Sequence, residues 1–324
     1  MVETPAFLDT GRPDVPDIVV PRGIVPFFLP DRPVRGRLIR LGPLAEALLS
    51  RHDHRAEVSR LAGQALALVA ALASALKFRG SFSLQAKGDG PVPLLVADCT
   101  DQGALRFYAR SDDERLDALA GDPAADCATA ARLLGDGYLA LTVDQGPDTE
   151  RHQGIVSIEG ETLAEMAQHY FVTSEQHDCR VHLACRQTDL GWRAAALILE
   201  RIAAGGGSDE ATETADPAQG AQADEAWSTA LTLAATISED ELLDDSLAAE
   251  TLLYRLFHSE GVATDRPRAL AYGCRCSRAR LSDILEGFAP DDLDHMVVDG
   301  DIVMTCEFCN FDFRFPRGTV RGNG

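Results

Sequence analysis

Four cysteines set the tightest constraint on how this chain folds. "GCRCS" places Cys274 and Cys276 one residue apart, and "TCEFCN" places Cys306 and Cys309 two residues apart, with 29 residues between the pairs. A CxC and a CxxC each turn two sulfurs toward one point, and four thiolates are a preferred shell for tetrahedral Zn²⁺. The spacing departs from the ferredoxin patterns that hold iron–sulfur clusters. Four buried hydrophobic thiols would not require this pairing. The expectation is one Zn²⁺ held by Cys274, Cys276, Cys306 and Cys309, with "EFCNF" forming the second knuckle of a zinc ribbon.

A tail of some fifty residues has little stability of its own, about 2.5–7.5 kcal/mol at typical values per residue. A structural zinc site contributes roughly 10–16 kcal/mol of folding free energy. Oxidising the thiolates removes the ligands, so by these magnitudes the tail unfolds when oxidised. The four thiols therefore read as an oxidation sensor as well as a staple.

The remaining chain reads as an acidic α+β protein. Its 324 residues carry 51 acids against 30 Lys and Arg, a net charge of −21, which opposes general nucleic-acid binding. "MVETPAFLDTGRPDVPDIVV" lacks the basic start and apolar run of a secretory signal. The apolar stretch Leu61–Leu76 is sixteen residues, short of the about 20 a membrane span needs, and predicts a buried core helix within a longer helix from Glu57 to Phe78. A cytoplasmic protein with no membrane partner is expected. In a reducing compartment, clustered cysteines point to metal or redox chemistry.

Periodicity divides the chain. Residues 1–33 are proline-rich and predict an extended arm with one short strand at "DIVV". Residues 34–204 predict a core domain with a largely antiparallel sheet and helices. Its strands are "VRGRLIRL", the two arms of "SFSLQAKGDGPVPLLVADC", "ALRFYAR", "YLALTVDQG", "GIVSIEG", "RVHLACR" and "AAALILE". In "TLAEMAQHYFVTSEQ", Leu163, Met166, Ala167 and Phe171 form a helical stripe. Residues 205–224 carry five acids and no Lys, Arg, aromatic or branched aliphatic residue, so a flexible acidic linker is expected. Residues 225–268 predict a metastable helical linker. Trp227, Leu231, Ala234 and Ile237 mark one helix, Ser238 and Glu241 form a capping box, and Leu253, Leu256 and Phe257 give an apolar face. Six acids and no base between 238 and 250 make these helices marginal unless they dock. Residues 269–324 form the C-terminal zinc-binding redox-switch domain.

Four further cysteines lie outside the motif. Cys99 and Cys127 read as buried small side chains. His177, Cys179, His182 and Cys185 look like a second cluster, but strand alternation puts Cys179, Val181, Leu183 and Cys185 on one face and His182 on the other, so core packing is expected.

Beyond the cysteines, "VRGRLIRL", "QALALVAALASALKFRGSFSLQAKGDGPVPLLVAD", "GYLALTVDQG", "RHQGIVSIEG" and "LAEMAQHYFVTSEQ" complete a resemblance, from Val34 to Phe315, to the heat shock protein 33 family of redox-regulated bacterial holdase chaperones. The resemblance implies a non-enzymatic, ATP-independent chaperone that is inactive when reduced and zinc-bound. It implies that oxidation joins Cys274 to Cys276 and Cys306 to Cys309, releases zinc, and unfolds the tail and linker. The protein would then bind unfolding client proteins, often as a homodimer. Two other readings compete. A thiol-disulfide oxidoreductase using Cys306 and Cys309 would sit near a βαβ thioredoxin pattern, which is absent. A constitutive zinc-ribbon binding protein finds support in Arg266, Arg268, Arg275, Arg278 and Arg280, but these charges are expected to offset the anionic metal site.

Overall fold

A computed structural model describes residues 17–120, 129–146, 149, 152–202 and 217–320. In chain order the elements are β1 (Val19–Leu29), β2 (Val34–Arg40), α1 (Pro43–Leu49), α2 (Ala56–Ala75), β3 (Ser81–Gly88), β4 (Leu94–Thr100), β5 (Ala104–Arg110), α3 (Asp113–Ala120), α4 (Ala130–Leu134), β6 (Gly137–Asp144), β7 (His152–Ser157) and α5 (Leu163–Ser174). They continue with β8 (Cys179–Thr188), β9 (Gly191–Arg201), α6 (Pro217–Ala234), α7 (Glu239–Leu243), α8 (Ala249–Phe257), β10 (Ala263–Thr264), β11 (Arg268–Tyr272), α9 (Arg278–Glu286), α10 (Pro290–His295), β12 (Val297–Val298), β13 (Asp301–Cys306) and β14 (Phe311–Pro316).

The fold is α+β, as the sequence predicts. Among the described residues one large sheet runs β7-β6-β3-β4-β5-β11-β1-β2-β9-β8, with β10 against β1, and a small sheet runs β12-β13-β14. Pairing is antiparallel except between β5 and β11. α2 has the length and apolar composition of a membrane span, yet it lies inside the protein, with Leu66, Leu68 and Val69 fully buried. It packs on one face of the sheet with Ile39, Phe82, Leu84, Phe107 and Ile198.

The opposite face, at the β1-β2-β9-β8 end, carries a second apolar cluster. Val25, Phe27, Leu29, Leu38, Leu197 and Leu199 meet Leu242, Leu252, Leu253, Leu256 and Phe257 of α7 and α8. Strand β9 contributes to both faces, Ala194, Ala196 and Ile198 to one and Ala195, Leu197 and Leu199 to the other. Burial on both sides explains its unbroken apolar run. Gly36 is needed here, because a Cβ at this position would lie 2.3 Å from the Phe27 ring and 2.5 Å from the Ile198 carbonyl oxygen. The space admits the Phe27 ring, which stacks on Phe257 with centroids 5.5 Å apart.

The acidic helices form because they dock. Ser238 and Glu241 make the expected capping box. Arg40 donates to the carbonyls of Glu241 at 2.7 Å, Leu242 at 3.0 Å and Leu247, fastening the α7–α8 connection to the core.

The structure departs from the sequence expectations in three places. Val19–Leu29 is an eleven-residue interior strand between β11 and β2, where an arm with one short strand was expected. Pro21 is accommodated by a register shift between Val20 and Ile24, where the ladder to β11 is interrupted. Residues 217–224, expected to be flexible, belong to α6; the rest of the expected linker, 205–216, and residues 1–16 of the arm lie outside the described residues. Finally, β11 crosses the expected boundary at 269. Ala271 and Tyr272 pair with Ala104 and Leu105, so the large sheet extends to Tyr272 and the cysteine tail begins after it.

Candidate metal centre

The tail supplies its two cysteine pairs from two different local structures. Cys274 and Cys276 lie in the loop between β11 and α9, which ends where the Ser277 hydroxyl accepts from the Arg280 amide at 3.2 Å. Cys306 ends β13 and Cys309 lies in the turn to β14. That turn is closed by the amides of Cys309 and Asn310, which donate to the Cys306 carbonyl at 3.2 and 2.7 Å. Asn310 has φ +51°, the left-handed conformation that asparagine tolerates better than most residues. This is the knuckle expected from "EFCNF".

The four Sγ atoms all lie within 4.8 Å of one another. Cys274 to Cys276 is 3.4 Å, Cys276 to Cys309 is 3.5 Å, and Cys274 to Cys306 is 3.6 Å. Four sulfurs each about 2.3 Å from a central Zn²⁺ form a tetrahedron with edges of about 3.8 Å. The separations are close to those edges and far beyond the about 2.05 Å of a disulfide. The donor set and its spacing fit a soft tetrahedral cation. Cys274 and Cys309 are buried against the core, while Cys276 and Cys306 are half-buried and line an open cleft of about 680 Å³ with Arg280 and Leu281.

Without a cation the thiols titrate together. Cys306 is pulled far down because its neighbours, Cys274 first, donate S–H to it, and Cys274 is lowered by Cys276. Cys276 and Cys309 are pushed up for the reciprocal reason, each primarily by Cys274. Four thiols at these separations cannot ionise together without a positive charge among them.

Contacts from the core hold the site in place. The buried carboxylate of Asp98 on β4 accepts from Arg275, between the CxC cysteines, at 2.6 Å, and from Arg106 on β5 at 3.2 Å. The Arg106 guanidinium lies 4.1 Å from the centroid of the Phe308 ring, inside the CxxC turn. Arg51 donates to the Cys309 carbonyl at 2.7 Å, and the Asn310 side chain donates back to the Arg51 carbonyl at 2.9 Å. The His52 Nε2 lies 3.4 Å from the Phe308 carbonyl oxygen, and its ring stacks on His54 at 5.3 Å. Burial, assisted by His54, pushes the His52 pKa down to about 4.

These partners were not identified from sequence. Asp98 lies on β4, Arg106 on β5, and Arg51 and His52 in the connection between α1 and α2, and no local motif groups them with the cysteines. Three of the tail arginines also make structural contacts. Arg275 pairs with Asp98, Arg268 bonds the carbonyls of Ser74 and Asp101, and Arg278 lies over Phe315, so structural contacts occupy them. Cys99 and Cys185 are buried, as expected, and burial pushes both thiols up to about 12. Val181 and Cys185 join the α2-side core, with Cys179 and Leu183 packed against it, while Ala184 faces the other cluster. Cys127 lies outside the described residues.

A core sheet, an acidic helical strap over one apolar face, and a C-terminal tail whose four thiols converge as a donor set able to hold a metal ion define the class of protein. Comparison with known proteins gives the family: the profile described as "Hsp33 protein" matches residues 23–316, and the chain belongs to the Hsp33 family. It is similar to the 33 kDa chaperonin of Caulobacter vibrioides, 41% identical over 289 residues that cover 88% of this chain and 91% of the relative. The 33 kDa chaperonin of Pseudomonas fluorescens strain Pf-5 is 35% identical over 296 residues, 91% of this chain and 90% of the relative. In fold it is similar to the 33 kDa chaperonin (heat shock protein 33 homolog) of Thermotoga maritima, with a TM-score of 0.73 at 20% identity, covering 92% of this chain and 96% of that one.

Proposed function

We propose that this chain is a cytoplasmic, ATP-independent holdase chaperone, held inactive when its four cysteines are reduced and bind Zn²⁺, and activated by their oxidation. The observation that carries the proposal is the pairing of two features: a thiol cluster with the spacing of a tetrahedral metal shell, and an apolar sheet face covered, among the described residues, mainly by acidic helices.

Zn²⁺ held by Cys274, Cys276, Cys306 and Cys309 would supply most of the folding free energy of the tail, on the order of 10–16 kcal/mol. The tail's own core is small: Leu285, Leu293, Ile302, Phe313, Phe315 and Val320. Oxidation by a peroxide converts two thiols to a disulfide, with two electrons and two protons reducing the peroxide to two waters. Two such steps consume all four ligands. The proposal pairs Cys274 with Cys276 and Cys306 with Cys309, as the family resemblance implies, and peptide mapping of the oxidised protein checks it against cross-pairing.

Loss of the tail removes the contacts of Arg275 and Phe308 with the core. The adjoining linker, α6 to α8, has marginal stability because of its charge. Its release would uncover Val25, Phe27, Leu38, Leu197 and Leu199, a surface suited to unfolding client proteins. A homodimer in the oxidised state belongs to the same proposal.

Treatment of metal-loaded protein with peroxide at mild heat tests it. Metal release, loss of helical circular dichroism and suppression of aggregation of an unfolding client should appear together and reverse with a reductant plus zinc. Oxidised protein that stays folded and protects no client refutes the proposal.

A further inference from the structure

The apolar face under the linker has a basic border. Arg22 pairs with Glu250, Arg32 with Glu260 at 3.3 Å, Arg186 with Asp240 at 2.5 Å, Arg193 with Asp245 at 2.5 Å, and Arg201 with Asp224. In each pair the arginine belongs to the core and the acid to the linker. Arg40 completes the border through its three bonds to linker carbonyls. Residues 217–262 contain nine Asp and Glu against Arg255 alone among Lys and Arg. The core therefore holds its own linker as an acidic amphipathic ligand, with leucines and Phe257 on the sheet and carboxylates on the rim.

We infer that the uncovered face selects client segments of the same chemistry: apolar stretches flanked by Asp and Glu, which take the place of α6–α8. The inference rests on the holdase reading and deepens it by naming the class of client segment. When the linker leaves, the rim guanidiniums lose their linker carboxylates, although Arg201 keeps Asp178 of the core at 3.6 Å. Arg193 is largely buried; it keeps its bonds to the Leu190 and Trp192 carbonyls but loses its one carboxylate partner, Asp245, which a segment without acids does not replace. A basic segment would meet like charge at every rim position, which suppresses binding more strongly than attraction promotes it. Exposed ion pairs add little affinity, so the rim sets which segments bind while apolar burial sets how tightly. The net negative charge of the whole chain does not cancel this preference, because exposed charges beyond a Debye length of about 10 Å are largely screened in 0.1 M salt.

The test uses the full chain, oxidised and metal-free, with fluorescein-labelled peptides followed by anisotropy. One peptide has the sequence of residues 238–258; in a second every Asp and Glu becomes Asn or Gln, and in a third every Asp and Glu becomes Lys. The same preparation is assayed for suppression of aggregation of a heat-unfolded enzyme. The acidic peptide is expected to bind about tenfold more tightly than the neutral one and the Lys peptide to bind least, with the differences shrinking in 0.5 M salt. The R22Q/R32Q/R186Q protein, altered only at exposed rim positions, is expected to lose the preference, so that the acidic and neutral peptides bind alike. Equal binding of the three peptides, tightest binding of the Lys peptide, or a preference unchanged in the triple variant, with suppression intact, overturns the inference and leaves the holdase reading standing. Absence of suppression by the unaltered oxidised protein overturns both.

Discussion

Replacing Phe257 by alanine separates the linker from the metal centre. Phe257 is fully buried, stacks on Phe27 and belongs to α8, remote from the cysteines. Truncating a buried phenylalanine costs about 3–5 kcal/mol when the cavity does not collapse. The Phe27 ring, stacked on Phe257, can shift partly into the gap, and the lower end, about 3 kcal/mol, is the fitting figure. That corresponds to about a hundredfold shift toward the undocked linker. The four thiols are untouched, so the reduced variant should keep its metal. Amide exchange should show α7 and α8 losing protection while β13 and β14 keep theirs. In reducing buffer the variant should suppress client aggregation without peroxide. Undocked helices without chaperone activity would refute the assignment of the client surface to the face beneath them. Unchanged protection of α7 and α8 would refute the packing argument itself.

Three other perturbations address the metal centre and its attachment. Cys306→Ser leaves three thiolates and is expected to abolish stoichiometric metal binding in reducing buffer, with loss of tail structure, by metal analysis and circular dichroism. Asp98→Asn deprives Arg275 and Arg106 of their shared carboxylate, at a cost of about 1–3 kcal/mol, and should lower the unfolding midpoint of the reduced protein and speed peroxide-driven metal loss while leaving initial metal content unchanged. His52 has an unfolded pKa near 6.5 and a folded value of about 4, so below pH 6.5 the unfolded chain takes a proton that the fold refuses. Its contribution to stability is intact above pH 6.5 and falls by about 1–3 kcal/mol, allowing for solvent screening, as the pH drops to about 4. His52→Asn should flatten that part of the denaturation-versus-pH curve, and an unchanged slope refutes the assignment.

Much of this protein was legible in one dimension because its signals are local. Strands β2 to β8 follow from alternation and turn residues, β9 and α2 from their apolar runs, and α7 from Ser238 and Glu241. Cysteine spacing identified four residues that the fold brings within 4.8 Å. Long-range information was harder to read. The prolines of the N-terminal stretch disguised β1, since its place between β11 and β2 depends on a register shift that only pairing reveals. β11 is too short to declare itself, and it joins the large sheet because β5 and β1 present open edges to it.

The sequence by itself determined that the chain is α+β and that its tail gathers four thiols, because periodicity and cysteine spacing are properties of neighbouring residues. Only the tertiary structure decided how the tail and strap attach to the core. The Asp98 bridge joins residues 177 positions apart, and the arginine rim of the linker joins Arg22 to Glu250 across 228. Such pairs depend on distance in space, and spacing along the chain carries no trace of them.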